Sequence, residues 1–195
     1  METKTSDKII QSAFKLFLEK GYEATNVRDI CREVGIKASS MYFYYKSKQD
    51  LFFYIYDEII SEYLRFIQGT EILMKDISVE EKLYTLLKCK MEYYAADISK
   101  RKFILRYHLF PPEEITSTIR EKYRFFTNEE NKILFEAIER CRNKKELKKE
   151  KIDYYLLVYK RLEDYLEYQM TVSNIKLNDN AINKLWATLS DNSAI

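Results

Sequence analysis

The chain has 195 residues, of which 46% are apolar and 33% charged, and its formal net charge is only +2. This balance is typical of a folded globular protein and excludes a disordered or strongly polyionic chain. Three glycines and two prolines are too few for the turns that hairpins need, which also excludes a β-rich fold.

The cysteines and the apolar segments of the sequence indicate the expected cellular location of the protein. Cys31, Cys89 and Cys141 are odd in number and lack Cys-x-x-Cys spacing, so neither a disulfide framework nor a zinc site is predicted. The longest apolar runs, 51–56 and 154–159, have six residues, far fewer than the ~20 that cross a bilayer. The polar, amphipathic N-terminus lacks the apolar core of a signal peptide. We therefore expect a cytoplasmic protein with no metal or cofactor.

The first two predicted helices cover residues 7–20 and 26–34. In each, apolar residues recur at i, i+3, i+4 and i+7 and so share one helical face; these are Ile10, Ala13, Phe14 and Phe17, then Val27, Ile30, Cys31 and Val34. Gly21 and Gly35 follow the two helices, where a left-handed residue is favoured. Thr25 stands where it could cap the second helix.

A brief third helix is predicted over 38–45, with Met41 and Tyr45 facing inward, and Ser47–Asp50 reads as a capping box that opens a long helix over 48–68. Two short helices joined by a glycine turn and braced on either side form a helix-turn-helix layout. In that layout Ile36 fills the angle between the helices, and the second helix projects its outer face, which fits a DNA major groove.

The remaining chain predicts only helices. Their predicted ranges are 78–98, 99–110, 113–142 (with a possible break near Thr127-Asn128), 151–172 and 181–189, with a charged connector at 143–149. Charge is unevenly spread along the chain: residues 1–48 hold nine Lys or Arg and six acids, and 35–48 hold three lysines and no acid. Such a local positive patch suits contact with a polyanion.

Residues 24–52 resemble the N-terminal domain of the TetR family of transcriptional regulators. The features that carry the resemblance are Thr25, Ile30-Cys31, Val34-Gly35-Ile36, Met41-Tyr42, Tyr44-Tyr45 and Ser47-Lys48 before Leu51, with Ala13-Phe14, Phe17 and Lys20-Gly21-Tyr22 upstream. The chain has Lys37 where the family often has Ser, Ser39 where it often has Gly, and Tyr44 where it often has His. These departures leave the operator sequence open.

The resemblance implies an all-α protein with an N-terminal three-helix helix-turn-helix DNA-binding domain over 1–48. A C-terminal helical bundle for ligand binding and dimerisation would follow over 49–195. By their chemistry, Lys37, Ala38, Ser39 and Ser40 would reach base edges. The phosphate or groove contacts would come from Thr25, Arg28, Tyr42, Tyr44, Lys46 and Lys48.

For the body of the chain, the resemblance implies a dimer formed by the last two long helices and an effector pocket among the middle ones. The expected dimer residues are Tyr154, Val158, Leu162, Tyr165, Tyr168, Leu185, Trp186 and Leu189. The expected pocket residues form an aromatic set suited to a drug-sized organic ligand: Tyr84, Tyr93, Tyr94, Phe103, Tyr107, His108 and Phe125.

The predicted function is sequence-specific transcriptional regulation, as a repressor that binds a palindromic operator as a homodimer and is released by a ligand. An enzyme is not expected, since His108 is the only histidine and no phosphate-binding glycine loop, H-E-x-x-H or serine elbow occurs. The alternative is a helical protein–protein adaptor that has lost DNA binding.

Overall fold

The structure, a computed structural model, describes residues 4–175 and 179–190, except for the side chains of 179, 189 and 190. Over these residues it contains nine α-helices and no strand, so the all-α prediction is confirmed. The helices are α1 (Thr5–Lys20), α2 (Val27–Val34), α3 (Ala38–Tyr44), α4 (Lys48–Gln68), α5 (Val79–Ala96), α6 (Ile98–Leu109), α7 (Thr116–Glu139), α8 (Lys149–Thr171) and α9 (Asp179–Ser190). Short 3₁₀ turns cover Glu71–Met74 and Glu113–Ile115.

Helix α7 is where the predicted bounds differ most from the structure. It begins at Thr116 rather than at Glu113, because the residues after the two prolines form a 3₁₀ turn instead. The break considered near Thr127-Asn128 does not occur. The Thr127 hydroxyl donates to the Arg124 carbonyl at 3.0 Å, so this polar side chain bonds within its own helix.

Contacts divide the chain into two compact units: Met1–Tyr63 with Lys102–Tyr123, called here the first unit, and Leu64–Arg101 with Arg124–Ile195, the second unit. The functional boundary after residue 48 stays a prediction. None of the helices in the described part of the chain has both the length and the apolar content required to cross a membrane.

The core of the first unit is built from aromatic side chains. The Phe52 ring of α4 lies 5.3 Å from Phe17 and 4.7 Å from Tyr107, centroid to centroid. The Tyr107 hydroxyl donates to the Phe17 carbonyl at 2.8 Å, and burial raises the pKa of Tyr107 to about 12. The buried face of α1 carries Ile9 and Leu16 rather than the predicted Ile10 and Phe14, which are half-buried. The core therefore holds α1 firmly against α4 and α6.

In the second unit, α8 packs against both α5 and α9. Their buried apolar residues form its core: Leu83, Leu86, Leu87 and Met91 of α5, Val158, Leu162 and Leu166 of α8, and Ile182 and Trp186 of α9. Lys82 is fully buried as well. Its ammonium group donates to the carbonyls of Leu73 and Ala137, each at 3.2 Å, so a charged side chain helps hold α7 to the 3₁₀ turn before α5.

Candidate nucleic-acid interface

Gly35 makes the turn between α2 and α3. Its φ of 78° and ψ of 32° lie in the left-handed region, which glycine enters without steric cost. The N–H groups of Gly35 and Ile36 both donate to the Cys31 carbonyl at 2.9 Å, which closes the end of α2. Helix α3 then leaves the turn with Met41 fully buried beneath it. The predicted helix-turn-helix geometry is thus present in the first unit.

The outer face of α3 is polar, aromatic and positively charged. Ser39 and Ser40 are exposed in its first turn, and Ala38 before them is half-buried. Tyr42 and Tyr44 expose 52% and 44% of their surface. Exposed lysines flank the helix at Lys37 and Lys46, and Arg28 is exposed on α2. This arrangement offers cations and hydroxyl donors of the kind that bind phosphate oxygens.

Two residues of the predicted DNA-contact set are engaged inside the first unit instead. Thr25 is fully buried, and its hydroxyl donates to the Gly21 carbonyl at 2.7 Å. It does not cap α2 either, because Asn26 does so by accepting the Asp29 N–H at 2.9 Å. The Lys48 ammonium donates to the Tyr22 carbonyl at 2.9 Å and lies 4.1 Å from the centre of the Tyr22 ring. Both side chains therefore brace the domain.

Phe43 belongs to the outer face of α3 but was absent from the sequence-based set. Its side chain is 85% exposed. Helical geometry could have placed it there, since two residues turn a helix by about 200° and Phe43 stands two residues after the buried Met41. Sequence reasoning overlooks this position because aromatic residues are usually assigned to a core.

The residues predicted to line an effector pocket are divided between the two units. Phe103, Tyr107 and His108 belong to the first unit and Tyr84, Tyr93, Tyr94 and Phe125 to the second. Phe103 and Tyr107 complete the aromatic core of the first unit, and His108 stacks on Tyr123 with ring centroids 3.5 Å apart. Phe103, Tyr107 and His108 therefore make ring contacts within the first unit.

Of the four in the second unit, Tyr84 donates a hydrogen bond to Asn183 and packs near Trp186, joining α5 to α9. Tyr94 is buried, with the Arg101 guanidinium 5.2 Å from its ring centre. Phe125 is 62% exposed on α7. Tyr93 alone of the predicted set lines the cavity described next.

A cavity of about 550 Å³ opens in the second unit between the C-terminal end of α4 and α5. The Phe66 and Tyr93 rings stack on its wall with centroids 4.4 Å apart. Its other lining residues include Arg65, Thr70, Cys89 and Glu92. Burial raises the pKa of the half-buried Cys89 thiol. The volume falls within the range of small-molecule sites, about 300–1,000 Å³.

A buried cluster of charged side chains lies in the second unit and has no counterpart in the sequence-based expectations. Lys90 of α5 donates to Glu130 of α7 and Glu163 of α8. Arg101 of α6 pairs with Glu167 of α8. All five residues are at most 9% exposed. Burial raises the pKa of Glu167 even though Arg101 opposes that shift.

The residues predicted to form a dimer interface divide between the interior and the surface. Val158, Leu162 and Trp186 are buried within the second unit, because they pack α8 and α9 into its core. Tyr165 and Tyr168 are about half exposed, at 48% and 55%. Tyr154 and Leu185 are half-buried, and Leu189 lies outside the described side chains. Leu157 and Val172, which are not in the predicted set, are exposed by 54% and 63%.

The profile described as bacterial regulatory proteins of the tetR family matches residues 9–55, which span the turn and α3. The N-terminal segment of this chain is thus similar to the DNA-binding domain of that family. Within the family, the Staphylococcus epidermidis biofilm operon icaADBC HTH-type negative transcriptional regulator IcaR is 46% identical over 46 residues, 24% of this chain and 25% of that protein.

Similarity to known proteins extends beyond residues 9–55. A Bacillus subtilis protein named as a probable HTH-type transcriptional regulator, YttP, is 28% identical over 130 residues, 64% of this chain and 63% of that protein. The aligned segments therefore span less than two thirds of either relative. The crystal structure of the B. subtilis transcriptional regulator FadR in complex with stearoyl-CoA matches with a TM-score of 0.64 at 18% identity, covering 97% of this chain and 98% of that one. The TetR-like fold thus continues through the second unit.

Proposed function

We propose that this chain is a transcriptional regulator of the repressor type, which binds a palindromic DNA operator as a homodimer and is released by a small organic ligand. The observation that carries the proposal is the outer face of α3. That face is held out by the Gly35 turn and the buried Met41, is flanked by Lys37 and Lys46, and contains no acidic residue. A short exposed helix of this kind can enter a major groove.

The side chains divide into two roles. Ala38, Ser39 and Ser40 stand at the N-terminal end of α3, the end that reaches base edges in helix-turn-helix proteins. Lys37, Lys46, Arg28, Tyr42 and Tyr44 have the charges and hydroxyl groups for phosphate contacts. The proposed contact set therefore omits Thr25 and Lys48, which are bonded inside the domain.

Dimerisation is proposed to use the exposed stripe of α8. Leu157, Tyr165, Tyr168 and Val172 are exposed and fall within about 80° of one another around the helix. Exposed apolar and aromatic side chains that cluster on one face of a helix are candidates for an interaction site. A second copy of the chain is the partner that we propose, since a two-fold operator requires a two-fold protein.

The cavity between α4 and α5 is the proposed effector site. Its volume is within the range of small-molecule sites, its walls include the stacked Phe66 and Tyr93, and Arg65 and Glu92 supply polar groups among its lining residues. Helix α4 contributes Phe52 to the core of the first unit and Phe66 to this cavity. Release requires that the ligand bind one of two conformations more tightly, with a coupling of typically about 1–3 kcal/mol.

Selection of bound duplexes from a random pool tests the DNA-binding proposal. We expect an enriched palindrome whose affinity falls steeply with salt. Three exposed cations per protomer, Arg28, Lys37 and Lys46, would release counterions from six phosphates in a dimer, which predicts a log–log slope of about −5.

Matched variants make the salt measurement specific. Lys46→Ala should reduce the slope by about 2 in the dimer. Lys144→Ala is the control, because Lys144 pairs with Glu139 in the second unit and should leave the slope unchanged. No enriched duplex and no salt dependence would refute the proposal in favour of the alternative, a helical adaptor that does not bind DNA.

Alkylation of Cys89 tests the effector site. Cys89 is the half-buried thiol of the cavity, whereas Cys31 and Cys141 are buried and serve as internal references. Stearoyl-CoA, the ligand in the FadR crystal structure, is the first probe. We expect it to slow alkylation of Cys89, measured by mass spectrometry, and to weaken operator binding. Unchanged alkylation together with weakened binding would place the effector elsewhere; no change in either would exclude this ligand as effector.

A further inference from the structure

Phe43 has the highest exposed fraction, 85%, among the large apolar side chains that the structure describes as exposed. Its neighbours Tyr42 and Tyr44 are also exposed, but each carries a hydroxyl group that water or phosphate can bond. Phe43 has no polar atom in its side chain. Exposure of such a ring brings no stability from burial, so packing of the first unit does not account for it.

The ring is held in place although it is exposed. The Tyr44 ring meets it edge-on, with centroids 5.4 Å apart and planes at 87°. The helix beneath is anchored by the fully buried Met41 and by the half-buried Tyr45, whose ring lies 5.5 Å from that of Tyr54 on α4. Phe43 is thus presented at a defined position on the outer face of α3, between the side chains proposed to contact phosphates.

The chemistry of the major groove offers one apolar partner. Each base pair presents hydrogen-bond donors and acceptors there, and only thymine adds a methyl group, at C5. A phenyl ring can contact that methyl group but cannot bond a phosphate oxygen. We propose that Phe43 reads a thymine by contact with its C5 methyl group, which makes it a specificity-determining residue. This inference rests on the proposed function, since it requires that α3 enter a major groove.

The expected effect follows from the burial of one methyl group in each half-site. Loss of one such buried group weakens affinity about fourfold, and a symmetric dimer that loses two is weakened about 15-fold. The loss should be confined to thymine positions that face Phe43. Other thymines should tolerate the removal of their methyl groups.

The test replaces each thymine of the selected operator by deoxyuridine, which removes the methyl group and leaves the hydrogen-bonding groups unchanged. For the unaltered protein we expect one or two symmetric positions where this change weakens binding about 15-fold. Phe43→Ala should bind the thymine operator more weakly and be insensitive to deoxyuridine at those same positions. Phe43→Leu, which keeps an apolar side chain, should retain part of the sensitivity.

Phe135→Ala is the matched control, because Phe135 is an exposed phenylalanine of the second unit; it should keep both the affinity and the deoxyuridine sensitivity. If Phe43→Ala binds the operator but keeps the full deoxyuridine sensitivity, the inference fails and the proposed function stands. A change in oligomeric state on sedimentation of Phe43→Ala, with DNA preference intact, would instead assign the ring to a protein contact and overturn the inference. If the unaltered protein binds no duplex, both the inference and the proposed function fail.

Discussion

Replacing Lys90 by methionine is expected to destabilise the second unit by about 3 kcal/mol. Lys90 is 1% exposed and its ammonium group donates to Glu130 and Glu163. Methionine keeps the length of the side chain but leaves two buried carboxylates without their main counter-ion. Breaking a buried ion pair from one side costs about 3–5 kcal/mol. The Lys160 ammonium nitrogen lies 3.2 Å from a carboxylate oxygen of Glu163 and 3.6 Å from one of Glu130. Because this cation remains in the variant, we expect a loss of stability near the lower end of that range.

The loss should depend on pH in a definite direction. In the unaltered protein, burial alone would lower the pKa of Lys90, but the nearby Glu163 and Glu130 carboxylates raise it well above its ordinary value. Without Lys90, the carboxylates of Glu130 and Glu163 remain buried, and burial disfavours the charged form of a carboxyl group. A group whose pKa is raised by folding contributes stability below its unfolded pKa and loses it as pH rises. The deficit of Lys90→Met should therefore be larger at pH 7.5 than at pH 5.

Urea unfolding followed by tryptophan fluorescence measures the loss in free energy of unfolding of the second unit. Trp186, the only tryptophan of the sequence, is buried in that unit. Lys144→Met is the matched control: its ion pair with Glu139 is exposed, and exposed pairs contribute about 0–1 kcal/mol. The triple variant Lys90→Met/Glu130→Leu/Glu163→Leu should recover most of the stability, because a buried ionic cluster can be replaced by apolar residues at little cost. A deficit below about 1 kcal/mol, or one that grows as pH falls, would refute the reasoning.

Three further predictions concern other parts of the chain. Gly35→Ala should lower the free energy of unfolding by about 1–2 kcal/mol, because φ is 78° while nothing crowds the added methyl group; an unchanged urea midpoint would show that the turn relaxes. Ser47→Ala removes the acceptor of the Asp50 N–H, 2.9 Å away, and should cost about 1 kcal/mol in the same measurement. Tyr168→Asp on the exposed stripe of α8 should convert a dimer to monomers in sedimentation velocity, whereas Phe135→Asp, at a similarly exposed residue of α7, should not; a dimer that survives Tyr168→Asp would place the interface elsewhere.

The local pattern of residues was enough to predict the helices and the turn. Apolar spacing and capping residues located α4 at Lys48–Gln68 and the other helices within a few residues, because helix formation and capping depend on neighbours within about four positions. Gly35 and the Ser47 cap were predicted for the same reason, and both have the expected geometry. The match to the tetR family profile over residues 9–55 reflects the same short-range information.

Which side chains face one another was decided only by the tertiary structure. Spacing identified Val158 and Trp186 as apolar, but packing of α8 against α5 and α9 placed them in the interior rather than on an exposed stripe. The partners of Lys90 lie 40 and 73 residues away along the chain, beyond the reach of any local pattern. Thr25, predicted to contact DNA, is buried, and Phe43, for which no prediction was made from the sequence, is exposed. The reason is related: burial depends on what the rest of the chain covers, and a periodic sequence identifies a helical face without specifying its neighbour.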